Sequence, residues 1–307
     1  MTSSKQAVYV VTGATGHVGN VLAQKLLALG RTVRVIGRSS ERLEPLAAQG
    51  AEPFVGSLED VEFLKRAFAG ATALFAMVPP HLTTPDYRAY QNRISAALAA
   101  ATSAAGLTHV VTLSSLGAHL PSGTGHIAGL HEMEQRFNQL SNVNIVHLRP
   151  AYFMENQYMS IDPIKHMGAN VGTLKADLPV PLIATRDIAE AAARLLGDLN
   201  FTGTAAKELL GPRDYTMNEV TRILGEAIGK PDLKYMQISY DEARKAMLEA
   251  GLSPSAADGV IEIDRAMNEG RLRPVEARSP QNTTPTTLEE FAASFAAAYR
   301  GSSAATA

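Results

Sequence analysis

Residues 8–19, Val-Tyr-Val-Val-Thr-Gly-Ala-Thr-Gly-His-Val-Gly, restrict the possible fold more than any other stretch of the chain. Val8 to Val11 is a β-branched and aromatic run of the kind that forms a buried parallel strand. Gly13, Gly16 and Gly19 follow at intervals of three, and the apolar residues Val21, Leu22, Leu26 and Leu29 then return at helical spacing. A strand, a glycine turn and a helix in that order open a nucleotide-binding βαβ unit. One glycine allows the tight turn, one lets backbone N–H groups approach a pyrophosphate, and one packs the helix on the strand. The helix N-terminus, with free N–H donors and the positive end of its dipole, then faces the phosphates. Gly13, Thr15, Gly16, His17, Val18 and Gly19 are therefore the expected cofactor turn; a structural turn without ligand is the alternative.

Further strands alternate with helices: Thr32 to Ile36, Glu52 to Val55, Ala73 to Val78, His109 to Ser114 and Val143 to Leu148. That rhythm predicts a parallel sheet covered on both faces. After Pro150 the rhythm breaks. Ala151 to Pro181 reads as irregular, Asp187 to Leu199 as a helix capped by Thr185 or Asp187, and the remainder as mainly helical, with short strands at Glu208 to Leu210 and Lys234 to Ile238. The expected architecture is α/β: a Rossmann-type doubly wound parallel sheet with a smaller, mainly helical C-terminal cap. Residues 1–156 form the nucleotide domain, the helix 185–199 returns to it, and 157–184 with 200–307 form the cap.

The end of the second strand bears on cofactor choice. An acidic residue there would bind the ribose 2′-hydroxyl of NAD, whereas an arginine pairs with the 2′-phosphate of NADP. Thr32 to Ser40 contains no Asp or Glu, and Arg38 stands at that position with Arg34 and Arg42 nearby. NADP(H) is the expected cofactor, with an ordinary solvated charge as the alternative reading of Arg38. Ser57 and Met77, at the ends of the third and fourth strands, are expected beside the adenosine. Ser114, closing the fifth, is expected at the ribose or at a substrate carbonyl.

With 307 residues, 46% hydrophobic and a net charge of −2, nothing suggests a broad nucleic-acid or anionic-membrane surface. The absence of cysteine removes disulfides, thiolate nucleophiles and cysteine metal sites, and fits a cytoplasmic location. Residues 1–7 lack an apolar signal-peptide core, no stretch approaches a membrane span, and the tail from Gly301 reads as disordered. The eight histidines include no H-E-x-x-H or other metal spacing, so no metal site is expected. Ser114 lacks the G-x-S-x-G elbow of a hydrolase. Glu132 and Glu134 read as a solvated helix face.

These motifs together resemble the NmrA-like atypical short-chain dehydrogenases/reductases. The resemblance rests on residues 12–19, Gly37-Arg38-Ser39, the Gly-Ala-Glu-Pro stretch before Gly56, Leu-Ser-Ser-Leu-Gly at 113–117, and Arg-Pro-Ala-Tyr-Phe-Met-Glu-Asn at 149–156. It implies an NADP(H)-binding Rossmann domain and a cleft under a small cap, with Tyr152 and Phe153 beside the nicotinamide. Many relatives carry Asp after Gly in the third strand, where this chain has Ser57. Active short-chain dehydrogenases also use a Tyr-x-x-x-Lys pair on the helix after the fifth strand, and the corresponding stretch, His126 to Glu134, has neither residue. Without that acid, simple ketone reduction is disfavoured, because the alkoxide formed needs a positioned proton donor. A quinone yields a phenolate-like anion that water can protonate. The expectation is hydride transfer from NADPH to a quinone or similar conjugated acceptor. His131 is the remaining proton donor, Phe153 and Tyr87 line the substrate side, and Asn156 orients an oxygen. A non-catalytic NADP(H) redox sensor acting through a protein partner is the rival reading, and an enone or imine reductase a third. A homodimer or a regulatory protein is the further partner considered.

Overall fold

The computed structural model describes residues 7–301, so the expectations for the extreme N-terminus and for the tail beyond Gly301 fall outside the described residues. Five βα steps and a sixth strand open the chain. β1 (Val8–Thr12), α1 (His17–Ala28), β2 (Thr32–Gly37), α2 (Ser40–Ala47), β3 (Glu52–Val55) and α3 (Val61–Phe68) form the first half. The second half is β4 (Ala73–Ala76), α4 (Tyr87–Ala105), β5 (His109–Leu113), α5 (Ile127–Phe137) and β6 (Asn144–Pro150).

The segment after Pro150 is more ordered than the sequence suggests. It contains β7 (Tyr152–Phe153), a 3-10 helix (Met154–Ser160), α6 (Ile161–Met167), β8 (Ala169–Gly172) and β9 (Val180–Ile183). These pieces are too short to show a period. They are fixed by pairing with distant strands. Then come α7 (Thr185–Asp198), β10 (Thr204–Leu209), β11 (Asp214–Tyr215), α8 (Met217–Ala227) and β12 (Lys234–Gln237). Three helices end the described chain: α9 (Tyr240–Glu249), α10 (Pro254–Asn268) and α11 (Leu288–Tyr299).

The main sheet has seven parallel strands in the order β10-β6-β5-β4-β1-β2-β3, so the strand order reverses beside β1 and a crevice opens there. Alternate residues of each strand enter opposite faces. Tyr9, Val11, Val33, Val35 and Phe75 join one core under α1 and α7; Val10, Ile36, Leu74, Val110 and Ile145 join another under α3, α4 and α5. Because β10 pairs with β6 from Thr204↔Ile145 to Leu209↔Pro150, this part of 200–307 belongs to the main sheet and not to the cap. Its sequence, Thr-Ala-Ala-Lys-Glu-Leu, lacks the apolar run of a central strand, which is why only its last residues read as one. The cap has a core of its own, with Met154, Leu182, Tyr215, Leu224 and Phe295, and two small sheets, β11-β9-β7 and β12-β8.

The start of α7 also differs from expectation. Ala184 is its N-cap and offers no side-chain bond. The Glu155 carboxylate, from the 3-10 helix, accepts the Thr185 N–H and hydroxyl at 3.0 and 2.5 Å. Asp187 lies in the first turn and accepts from the Thr286 N–H and hydroxyl. Both residues tie α7 to the cap rather than cap the helix themselves.

Candidate functional site

At the C-terminal end of β1 the chain turns sharply at Gly13, whose φ is +64°. The Gly16 N–H closes the turn on the Gly13 carbonyl at 3.0 Å, and Gly16 is the N-cap of α1 with no side-chain bond. A Cβ on Gly19 would lie 2.3 Å from the Gly13 carbonyl oxygen, so only glycine lets the helix seat this closely on the turn. On Gly13 a Cβ would meet the Met77 Sδ at 2.5 Å. Val18 packs its side chain into the core, so only its backbone faces the turn. No side chain caps the start of α1, as a pyrophosphate site at a helix N-terminus requires. The residues fit the group. One residue the sequence reading missed secures the turn: the Thr12 hydroxyl donates to the Phe75 carbonyl and accepts the Met77 N–H, both at 3.0 Å, locking the ends of β1 and β4.

Around this turn, Arg38 is exposed just beyond β2. Arg42 donates to the Thr15 carbonyl at 3.1 Å, joining α2 to the turn. Arg34 has another task, bonding Glu52 and the carbonyls of Ala67 and Ala69. Ser57 is exposed past β3, where its hydroxyl accepts the Glu59 N–H. His17 is half-buried; with Glu155, Tyr158, Thr185 and Phe291 it lines a cavity of about 170 Å³ between α1 and the cap.

The other end of the crevice is built from side chains. Ser114 is buried and donates to Glu134 Oε1 at 2.6 Å. Glu134 is 1% exposed and accepts both arms of the Arg149 guanidinium, at 2.9 and 2.5 Å. That ion pair holds the Arg149 guanidinium above its ordinary range. The solvated face expected of Glu132 and Glu134 is thus corrected. Glu134 points into the sheet and locks α5 to the ends of β5 and β6, while Glu132 pairs with Arg88 at 2.7 Å and accepts from Asn92. Ser114 has its proton committed to Glu134 and offers an approaching ligand only its lone pairs.

His131 is half-buried and its Nδ1 lies 2.8 Å from the Ala118 carbonyl. That carbonyl can only accept, so Nδ1 carries the hydrogen. Tyr152 and Phe153 leave β6 on opposite sides: Phe153 packs on the main-sheet core and Tyr152 against the cap core. Burial, then the charges of Asp264 and Tyr235, push the Tyr152 phenol well above its ordinary range, with Asn156 pulling the other way. Tyr87 opens α4, where its N–H donates to the Ser255 hydroxyl at 3.0 Å. It is buried against His126, with ring centroids 4.0 Å apart, and burial raises its phenol to about 12.

The strongest feature absent from the sequence reading is Asp264 on α10. Desolvation lifts its carboxyl to about 6, against the pull of a hydrogen bond from Thr173. A lone acid on an amphipathic helix carries no motif. Among the described residues no group of three histidines or acids converges as a metal site, and no helix is long and apolar enough to cross a membrane.

A parallel sheet reversing its order at a glycine turn, with a cap closing over the ends of β5 and β6, defines a Rossmann-type dinucleotide-binding protein. The chain belongs to the NmrA-like family, whose family model matches residues 4–292. It is 32% identical to a Streptomyces griseus (4-alkanoyl-5-oxo-2,5-dihydrofuran-3-yl)methyl phosphate reductase, over 85% of this chain and 87% of that one. It is 28% identical to an NAD(P)H azoreductase of Xenophilus azovorans, over 94% and 98% of the two chains. Its fold is similar to that of an NADPH-dependent quinone oxidoreductase from Escherichia coli solved with NADPH, at a TM-score of 0.78, 23% identity and 93% and 98% coverage.

Proposed function

We propose that this NAD(P)H-dependent oxidoreductase reduces a quinone or a similar conjugated acceptor, with NADPH as the preferred donor. The observation that carries the reading is the pairing of an open α1 N-terminus over the Gly13–Gly19 cradle with an exposed Arg38 where β2 ends. The reductase names of its relatives agree with it. In this reading Gly13, Thr15, Gly16, His17 and Gly19 hold the pyrophosphate, with Val18 contributing through its backbone. Arg38 holds the 2′-phosphate, and Ser57 and Met77 flank the adenosine. When bound, NADPH supplies the hydride.

The acceptor lies against Phe153 and Tyr152, with Asn156 near its oxygen. Glu134 and Arg149 keep α5 and the exits of β5 and β6 in register, so the donor and acceptor planes are positioned by rigid elements. Where the dehydrogenase Tyr and Lys would stand, α5 offers His131 tied to a backbone carbonyl. A site of this kind favours acceptors whose reduced form is a stabilised anion.

Purified protein mixed with NADPH and a panel of benzo- and naphthoquinones should oxidise the cofactor, with NADH distinctly slower in parallel. Tight binding of NADPH, seen by cofactor fluorescence, without oxidation by any quinone would overturn the reading and leave a sensor of the nicotinamide state.

A further inference from the structure

The two halves of α10 are held by different parts of the molecule. Its C-terminal half is tied into the cap. Asp264 accepts the Thr173 hydroxyl, and the Asn268 amide donates to the Thr173 carbonyl at 2.9 Å and the Tyr240 hydroxyl at 2.8 Å while accepting the Lys175 N–H at 2.8 Å. Its N-terminal half lies on the loops that follow β4 and β5, at the strand ends where a doubly wound sheet binds its ligands. There the Ser253 N–H donates to the Leu82 carbonyl at 2.8 Å, and the Ser255 hydroxyl accepts the Tyr87 N–H at 3.0 Å. Just beyond α10, Arg271 donates to the Gly123 carbonyl at 2.6 Å. The packing is close: His126 stacks on Tyr87 with ring centroids 4.0 Å apart, and a Cβ on Gly259 would lie 2.1 Å from the His126 Cδ2.

This seam fits in shape but not in polar pairing. Among the described residues, Gln91 Oε1 and Thr124 Oγ1 have no hydrogen-bond partner, on residues only 3% and 0% exposed. Both belong to the seam. The Gln91 amide donates to the His126 carbonyl at 3.0 Å, and Thr124 stands between Gly123, which accepts from Arg271, and Gly125, where a Cβ would lie 1.9 Å from the Gly259 carbonyl oxygen. Buried polar atoms without partners destabilise the arrangement that buries them, and opening the seam would hydrate both. Gly251, at φ +91° with open space around it, joins α9 to α10 and lets the N-terminal end of α10 lift while the other end stays tied to Thr173.

We propose that α10 is a lid: its N-terminal half lifts from the loops after β4 and β5 to admit the acceptor, and seats again on His126 and Tyr87 for hydride transfer. The identity of what enters rests on the hydride-transfer reading above; the motion does not. Closing excludes water from the strand ends, and opening hydrates Gln91 and Thr124, so each state has its own stabilisation.

The chain contains no cysteine, so one thiol pair can be placed across the seam without competitors. The Ser253–Leu82 backbone bond sets these residues within roughly the 4.4–6.8 Å Cα spacing that a disulfide spans. In the double variant Leu82→Cys, Ser253→Cys, oxidation should lower kcat/KM for duroquinone, whose ring positions are all blocked to thiols, by at least about tenfold. NADPH affinity, read by cofactor fluorescence, should stay within about twofold, and reduction followed by removal of the reductant should restore turnover. The same oxidation should slow amide hydrogen exchange across residues 117–126, which carry neither thiol, by at least about fivefold. Gly259→Ala, which wedges α10 off the His126 ring, should speed that exchange by about tenfold. Full turnover with the thiols joined overturns the lid, and so does exchange in 117–126 that neither the lock nor Gly259→Ala alters. The exchange measurement needs no acceptor. A wild type inert to duroquinone, whose exchange the lock still slows, overturns the acceptor reading and supports the lid.

Discussion

The two ends of the crevice solve the same problem, holding flat ligands over strand ends, in opposite ways. Beside β1 the backbone sets the shape: Gly13 at a positive φ, Gly19 against a carbonyl oxygen, and a helix start that no side chain caps. Beside β5 and β6 side chains set it, through Ser114, Glu134, Arg149 and the cap residues above them. A backbone site tolerates no added atom but contains no buried charge. A side-chain site accepts changes of shape but fails when one member of a charged network is removed.

The largest expected effect therefore lies at the β6 end. Glu134→Ala leaves a nearly buried guanidinium and the Ser114 hydroxyl without their acceptor, and should cost about 3–5 kcal/mol in urea unfolding. Replacing Glu134 and Arg149 together with methionine should recover most of that loss, because the penalty comes from a stranded charge. A cost below about 1 kcal/mol for Glu134→Ala would mean that this pair does not lock α5 to the sheet.

This contrast also explains what could be read from the sequence. The glycine turn was legible because its spacing reflects local backbone geometry, and the strand–helix alternation because each period is local. Glu134 was misread as solvated because its partner, Arg149, lies on another element, and helix periodicity alone does not reveal what packs above a face. Asp264 was missed for the same reason. Its burial and its hydrogen bond from Thr173 come from the tertiary fold and not from its own helix. The edge strand β10 shows the third case: pairing with β6 outweighs a weak local pattern.

At the β2 end, Arg38→Ala should weaken NADPH by about 10–100-fold and NADH by less than about twofold, because only NADPH loses a charge-assisted phosphate contact. Titration of cofactor fluorescence measures both. Equal weakening of the two cofactors would remove Arg38 from the 2′-phosphate and return it to the role of a solvated charge.

The smallest effect tests the backbone end itself. In Gly13→Ala the added Cβ forces an L-residue into a left-handed conformation, which costs about 1–2 kcal/mol wherever it occurs. The same Cβ would lie 2.5 Å from the Met77 sulfur, but a thioether can swing aside, unlike the backbone oxygen that faces Gly19. If φ is what demands glycine, Met77→Ala will not rescue Gly13→Ala, and a double-mutant cycle by urea unfolding will show coupling within about 0.5 kcal/mol of zero. Favourable coupling well beyond that would place the constraint on the Met77 side chain, and this part of the turn would then obey the side-chain logic of the β6 end.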